Sequence, residues 1–350
     1  MQLMKGVVVV DEGRVEVRDD IPVPEITDYE VLCRNHACGI CSGTDFQIIN
    51  GTLEKEAGFY GYPTVLGHEG AGEIICCGSK VRYLKEGQRC IHSNLRQDVG
   101  NGYKKTYGGM AEYGIGVDYQ AMMEDGLCKS NSLPFNGKFH TFPEVIPYED
   151  AGVLLSLAEC HSASENFAPD KGSDILFYGA GMMGSALAMF MRLRGAGRIT
   201  VIDSIPDRLE HVKQVAKADR VINYLKTPVK EALAEERFDM VVDAVGSRAI
   251  LMEGSFFLKP RGKLCSLGVL KKSEREIPVT RLQNNICLHM LNQPWGEYEI
   301  MNKTADMIVS GKISAKDFYS HVVCFEEIDH ALELVRSKKA LKVVLSFDKV

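Results

Sequence analysis

Cys41, in the run CGICSGTD, and the adjacent pair His68-Glu69, in GYPTVLGHEGAGEI, carry chemistry that their surroundings do not explain. Both stretches otherwise read as apolar chain and glycine, and an imidazole beside a carboxylate is costly to bury unless something pairs with it. A metal ion supplies such a partner. Thiolate sulfur and imidazole nitrogen suit zinc, and a zinc ion that does chemistry takes three protein ligands and keeps a further position open. Taken singly, Cys41 reads as a core thiol and His68 as a core histidine with satisfied hydrogen bonds. They gain weight as ligands beside a second constellation further along the chain.

That constellation is Gly179-Ala180-Gly181-Met182-Met183-Gly184, which follows the apolar run ILFY and opens the helix-spaced run SALAMFMRLRGA. G-x-G-x-x-G between a strand and a helix, with Asp203 closing the next strand ITVID, is the pattern of a dinucleotide site. Gly179 allows a tight turn, Gly181 lets the backbone approach a pyrophosphate, and Gly184 lets helix pack closely on strand. The helix start at Met182 and Met183 offers unpaired N–H groups and a positive dipole end to the phosphates. Asp203 accepts hydrogen bonds from a free ribose 2′-hydroxyl and repels a 2′-phosphate, which favours NAD over NADP. Arg208 either stacks on the adenine or lies on the helix surface.

Positioning these groups takes two domains, since 350 residues exceed what one hydrophobic core organises. Up to about residue 120 the chain shows short β-branched runs, GVVVV, RVEVR, EVLCRNHACGI and GAGEIICCG, broken by glycine and proline, as in a compact barrel-like domain. From Tyr148 the texture changes to helix-spaced apolar residues, and strands then alternate with helices through ITVID, DRLEHVKQVA, RVINY, FDMVVDAVG and GKLCSLG. Such alternation predicts a parallel sheet covered on both faces. The expected division is residues 1–151, completed by 295–350, as one domain and 152–294 as the nucleotide-binding domain.

Composition narrows the function classes. Hydrophobic residues make up 45% and charged residues 25%, ordinary for a soluble globular protein. A net charge of -6 offers no basic field, which argues against nucleic acid and membrane surfaces as partners and for a small molecule. Charges interrupt the valine-rich start, and no run nears the roughly 18 apolar residues of a membrane span, so a cytoplasmic protein is expected. The 11 cysteines are odd in number and scattered, which points to reduced thiols rather than a disulfide framework.

The order CGIC then TD, PTVLGHEGAGEI, GGMAEY, and GAGMMG with Asp203 resembles the zinc-dependent medium-chain alcohol and polyol dehydrogenases over nearly the whole chain, above all the sorbitol and sugar-alcohol branch. The resemblance implies an α/β chain: an N-terminal GroES-like β-barrel catalytic domain and a Rossmann doubly wound parallel-sheet cofactor domain. It implies one catalytic zinc, with Cys41 and His68 as ligands and Glu69 as a ligand or a carboxylate just behind them. The family's later glutamate ligand falls on Leu155 in an ungapped match, and Glu159 lies one helical turn on, facing the same side. Glu159 is thereby a further candidate ligand, with Cys160 and His161 pointing elsewhere.

The chain also departs from its relatives. CSGTD carries an extra residue before Thr44-Asp45, and Gln47 stands where many relatives place a proton-relaying histidine. Where relatives bind a structural zinc through four cysteines, this chain has only Cys90, so no structural zinc is expected. The longer stretch AMMEDGLCKSNSLPFNGKFHTFPEV is expected to form a variant loop.

The implied activity is reversible NAD-linked oxidation of a secondary alcohol on a polyol, cyclitol or sugar derivative, in a cleft between the domains. Thr44 would take the first proton, with Glu69 beside it in the catalytic group. Phe46, Phe59, Tyr60 and Trp295 are candidate walls or core residues, and Lys55 and Arg96 candidate contacts for an acidic substrate or plain surface. Relatives also imply a homo-oligomer, dimer or tetramer. Two alternatives stay open on the residues alone: a zinc-free NAD(P)H-dependent reductase, and a non-catalytic nucleotide-binding protein.

Overall fold

The computed structural model describes residues 2–53, 59–96, 98–105, 107–128, 139–270, 272–291 and 296–348. The chain forms two compact units, one from Met1–Leu155 with Met301–Val350 and one from Ser156–Ile300. In the first, the valines of the opening strand Leu3–Asp11 divide between two cores, because successive side chains of a strand point to opposite faces. Val7 and Val9 join Cys38, Ile48, Leu66 and Val343, whereas Met4 and Val8 join Ile21, Val65 and Leu95. Each fully buried side chain of this kind contributes about 1.5–3 kcal/mol relative to exposure.

That strand belongs to a five-stranded sheet ordered Arg14–Pro22, Leu3–Asp11, Thr64–Val65, Tyr103–Lys105, Asp98–Gly100. A seven-stranded sheet runs His140–Thr141, Arg89–Ile91, Glu69–Cys77, Glu30–Gly39, Val343–Ser346, His321–Cys324, with Tyr113–Val117 also paired to Glu30–Gly39. The late strand Val343–Ser346 lies antiparallel to Glu30–Gly39 with Val344 opposite Gly39. On its other side Gly39 stands opposite Glu69. Three stretches far apart in sequence therefore meet at one rung.

The second unit holds a six-stranded sheet ordered Arg220–Asn223, Ile199–Asp203, Ile175–Tyr178, Phe238–Asp243, Leu258–Ser266, Cys287–Met290. Every pairing in it is parallel. Ile175–Tyr178 is buried at every position, as a central strand with both faces covered must be. The order reverses direction at this strand, so a crevice opens at the carboxyl ends of the strands, where doubly wound sheets bind ligands. Helix Met182–Leu193 follows that strand, and helix Pro206–Val215 follows Ile199–Asp203 with proline at its first position, where a missing N–H is harmless. Among the described residues no helix is long and apolar enough to cross a membrane.

Candidate functional site

Cys41 lies in the turn that leads from strand Glu30–Gly39 into helix Thr44–Ile49. The turn is tied at both ends: the Cys41 N–H donates to Asp45 Oδ2 at 2.8 Å, and the Thr44 N–H donates to the Cys41 sulfur at 3.4 Å. The extra residue of CSGTD is thus accommodated with the thiol still held against the helix start. His68 immediately precedes strand Glu69–Cys77, and the pairing of Gly39 with Glu69 carries that segment past the Cys41 turn. Ligand atoms of Cys41, His68 and Glu69 all lie within 4.8 Å of one another.

The two ring nitrogens of His68 face different acids. Nδ1 is 3.5 Å from Asp45 Oδ1, and Nε2 is 3.9 Å from Glu69 Oε1. Asp45 is fully buried and faces Nδ1 without closing a hydrogen bond to it, while Nε2 faces the Glu69 carboxylate. The Tyr107 ring packs 5.0 Å from the imidazole, centre to centre. Burial pushes the Cys41 thiol up, but the hydrogen bond and positive charge of His68 outweigh it, and the thiol falls below its ordinary value. Burial likewise opposes the charge on His68, yet Asp45 and Cys41 against the ring lift it well above the usual histidine range. Each group's shift draws on the other, and sulfur, nitrogen and carboxylate donors in this proximity fit a zinc ion.

Glu69 has a partner in the protein itself. Lys342 Nζ is 2.7 Å from both Oε1 and Oε2, and the two side chains are only 6% and 2% exposed. Lys342 stands just before the late strand Val343–Ser346, so the rung at Gly39 delivers it. That rung requires glycine: a Cβ on Gly39 would stand 2.7 Å from Glu69 Oε2, 2.8 Å from Lys342 Cε and 2.3 Å from the Gly152 carbonyl oxygen.

In the second unit the three glycines of the turn each meet a different demand. Gly179 has φ +101°, Gly181 is open apart from Arg208 Nη1 at 3.8 Å from its missing Cβ, and a Cβ on Gly184 would stand 2.1 Å from the Gly179 carbonyl oxygen. Gly181 caps the helix that opens with Met182 and Met183. Asp203 ties the crevice together, accepting from the Ala180 N–H at 2.7 Å on Oδ2, and from Ser204 and Ile205 at 2.6 and 3.0 Å on Oδ1. Its carboxylate is partly exposed and keeps lone pairs for a further donor.

The remaining candidates fall as follows. Thr44 is half-buried at the first position of its helix, and Gln47 lies on the same helix. Glu159 is half-buried on helix Leu154–Phe167, is assigned to the second unit, and is not a member of the Cys41-His68-Glu69 group. Phe46 and Phe59 pack on the first unit's core, Tyr60 is 44% exposed, and Arg96 pairs with Glu30. Lys55, Trp295 and much of the long 121–145 stretch lie outside the described residues. Each of the cysteines is a free thiol. Asp45 is legible in the sequence only as half of the Thr44-Asp45 pair, and nothing there marks Lys342, which lies 273 residues from Glu69.

Comparison with known proteins agrees with this layout. The family model described as "Alcohol dehydrogenase GroES-like domain" matches residues 27–157, and that described as "Zinc-binding dehydrogenase" matches residues 183–304. D-arabinitol dehydrogenase 1 of Uromyces fabae is 25% identical over 335 residues, covering 92% of this chain and 91% of that protein. Sorbitol dehydrogenase of Bombyx mori is 27% identical over 353 residues, covering 95% and 96%. Among solved structures, benzyl alcohol dehydrogenase from Acinetobacter calcoaceticus is similar with a TM-score of 0.81 at 19% identity, covering 99% of this chain and 100% of that one, a likeness of fold.

Proposed function

The chain belongs to the zinc-dependent medium-chain dehydrogenase family, and on that premise we propose that it oxidises a secondary alcohol of a polyol, cyclitol or sugar derivative to the ketone, reversibly, using NAD and one zinc ion. The observation that carries this reading is the grouping of Cys41, His68 and Glu69 within 4.8 Å, a donor set suited to zinc. The names of the curated relatives, dehydrogenases of D-arabinitol and sorbitol, support a polyol as substrate. When bound, zinc supplies a Lewis acid to the carbinol oxygen and NAD supplies the hydride acceptor.

The chain's own residues do the rest. Cys41 and His68 would hold the ion, with Asp45 facing Nδ1 of His68 and leaving Nε2 to be offered, and Glu69 would stay on Lys342 or join the donors. Thr44 would accept the hydroxyl proton while its own hydroxyl proton passes to water or a neighbouring hydroxyl, because the amide of Gln47 is neither acid nor base near neutral pH and cannot relay it. The N–H groups at the start of helix Met182–Leu193 would receive the pyrophosphate, Asp203 would accept from the ribose 2′-hydroxyl, and Arg208, beside Gly181, would meet the adenosine half. A homo-oligomer, dimer or tetramer, belongs to the same proposal and is read by sedimentation.

The test combines metal content with a substrate panel. Purified protein is expected to carry zinc, to lose it in Cys41→Ser, and to reduce NAD with at least one member of a set of polyols, cyclitols and sugar phosphates. Zinc-loaded protein that is inactive across the panel refutes the substrate class. Protein that takes up no zinc refutes the metal reading and favours a zinc-free reductase.

A further inference from the structure

His92 combines two features that rarely coincide. It is a bulky residue held at φ +67°, in the left-handed region that only glycine enters freely, and it is 4% exposed. It directly follows strand Arg89–Ile91, where Ala71 pairs with Ile91, so the next rung sets it opposite Gly70. Its main-chain N–H donates to the Gly70 carbonyl at 2.8 Å, completing the ladder. The left-handed turn then takes the chain out of the sheet while the ring folds back, and Nδ1 lies 2.8 Å from the His68 carbonyl oxygen. A carbonyl only accepts, so Nδ1 carries the proton in this contact.

Those carbonyls belong to the residues on either side of Glu69. The His68 carbonyl is part of the planar peptide that joins His68 to Glu69, so its direction sets ψ of His68 and φ of Glu69, and with them the aim of both side chains. The preceding peptide is pinned too, since the Gly109 N–H donates to the Gly67 carbonyl at 2.7 Å. Both peptides flanking His68 are thus fixed, one by main chain and one by the His92 ring. Strain of the left-handed kind persists where surrounding structure over-determines it. Ser93, the next residue, supplies such an anchor by donating to buried Asn35 at 2.7 Å.

We propose that His92 is a positioning residue for the metal centre: by holding the His68 carbonyl it aims the His68 imidazole and the Glu69 carboxylate together. This rests on the zinc reading of Cys41, His68 and Glu69, and makes His92 a determinant of how tightly and in what geometry the ion is held. In this role it acts through the His68 peptide and not on a substrate.

The test compares H92G and H92N with the parent, as full-length protein. Glycine relieves the left-handed strain and removes the ring, and asparagine tolerates the left-handed region and can still donate to a nearby carbonyl. Zinc affinity by chelator competition is expected to fall about 10- to 100-fold in H92G, the usual cost of losing a partner that orients a ligand, and to stay near parental in H92N. The absorption bands of the cobalt-substituted protein are expected to change in H92G and to be restored in H92N, which a purely space-filling role would not produce. H92G that binds zinc as the parent does, with the parental cobalt spectrum, overturns the proposal, as does H92N that fails as badly as H92G. A parent protein that takes up neither zinc nor cobalt overturns the metal reading beneath it, a separate outcome of the same titration.

Discussion

Replacing Lys342 by methionine isolates what the buried ammonium does for Glu69. The pair is enclosed, with Nζ 2.7 Å from each carboxylate oxygen and little exposure on either side. Removing one member of such a pair leaves an uncompensated buried charge and costs about 3–5 kcal/mol, against a total stability of about 5–15 kcal/mol for a typical fold. Metal-free K342M should therefore melt well below the metal-free parent. Zinc changes the balance, because a cation among Cys41, His68 and Glu69 can neutralise the abandoned carboxylate. Recovering about 3 kcal/mol of the loss corresponds to roughly 100-fold tighter zinc binding by the variant, since each 1.4 kcal/mol is tenfold. Turnover should fall, with Glu69 drawn into the position that an alcohol needs. The double variant E69Q/K342M, which has no buried charge to neutralise, should be more stable without zinc than K342M and show no such tightening. The assays are thermal melts and chelator competition on the parent, K342M and E69Q/K342M. Metal-free K342M as stable as the parent, or K342M with zinc affinity equal to or weaker than the parent's, refutes the reasoning.

Other outcomes follow from the same geometry. D203N removes the charge that repels a 2′-phosphate while keeping an acceptor; hydrogen bonds to charged groups contribute about 1.5–3 kcal/mol, so KM for NAD should rise about 10- to 100-fold and use of NADP should improve. In G184A the new methyl meets the Gly179 carbonyl oxygen at 2.1 Å, so NAD binding measured by calorimetry should be lost while zinc content stays parental. Zinc uptake should depend on pH with a definite sign. His68 holds its proton more tightly than an ordinary histidine, chiefly against burial through Asp45 and Cys41, and must give it up to ligate. Affinity should therefore rise about tenfold per pH unit below that raised value and level off above it, with one proton released per ion in buffers of differing ionisation heat.

What could be read from the sequence followed the distance over which each feature is built. The nucleotide turn is local: strand, glycines, helix and Asp203 lie within one stretch of chain, and the glycine spacing carries its own steric meaning. Cys41 and His68 were legible by residue type, but what brings them together is the rung at which Gly39 meets Glu69, a fact of sheet register. Lys342 left no local trace, because its role comes from a strand delivered from far along the chain. His92 was equally hidden, since a left-handed backbone at a histidine is imposed by its surroundings and not by propensity. For Phe46 and Phe59 the sequence leaves wall and core readings open; both pack against the first unit's core, because a short helix with Ile48 and Ile49 needs neighbours to bury against.

The late arrival of Lys342 has a consequence during synthesis. At ordinary translation rates, the 273 residues between Glu69 and Lys342 take on the order of tens of seconds to emerge. The whole nucleotide-binding unit, Ser156–Ile300, is made within that interval and can fold as one contiguous piece. Meanwhile the nascent first unit lacks strand Val343–Ser346 and Glu69 has no Lys342 ammonium beside it, so this side of the centre is completed last.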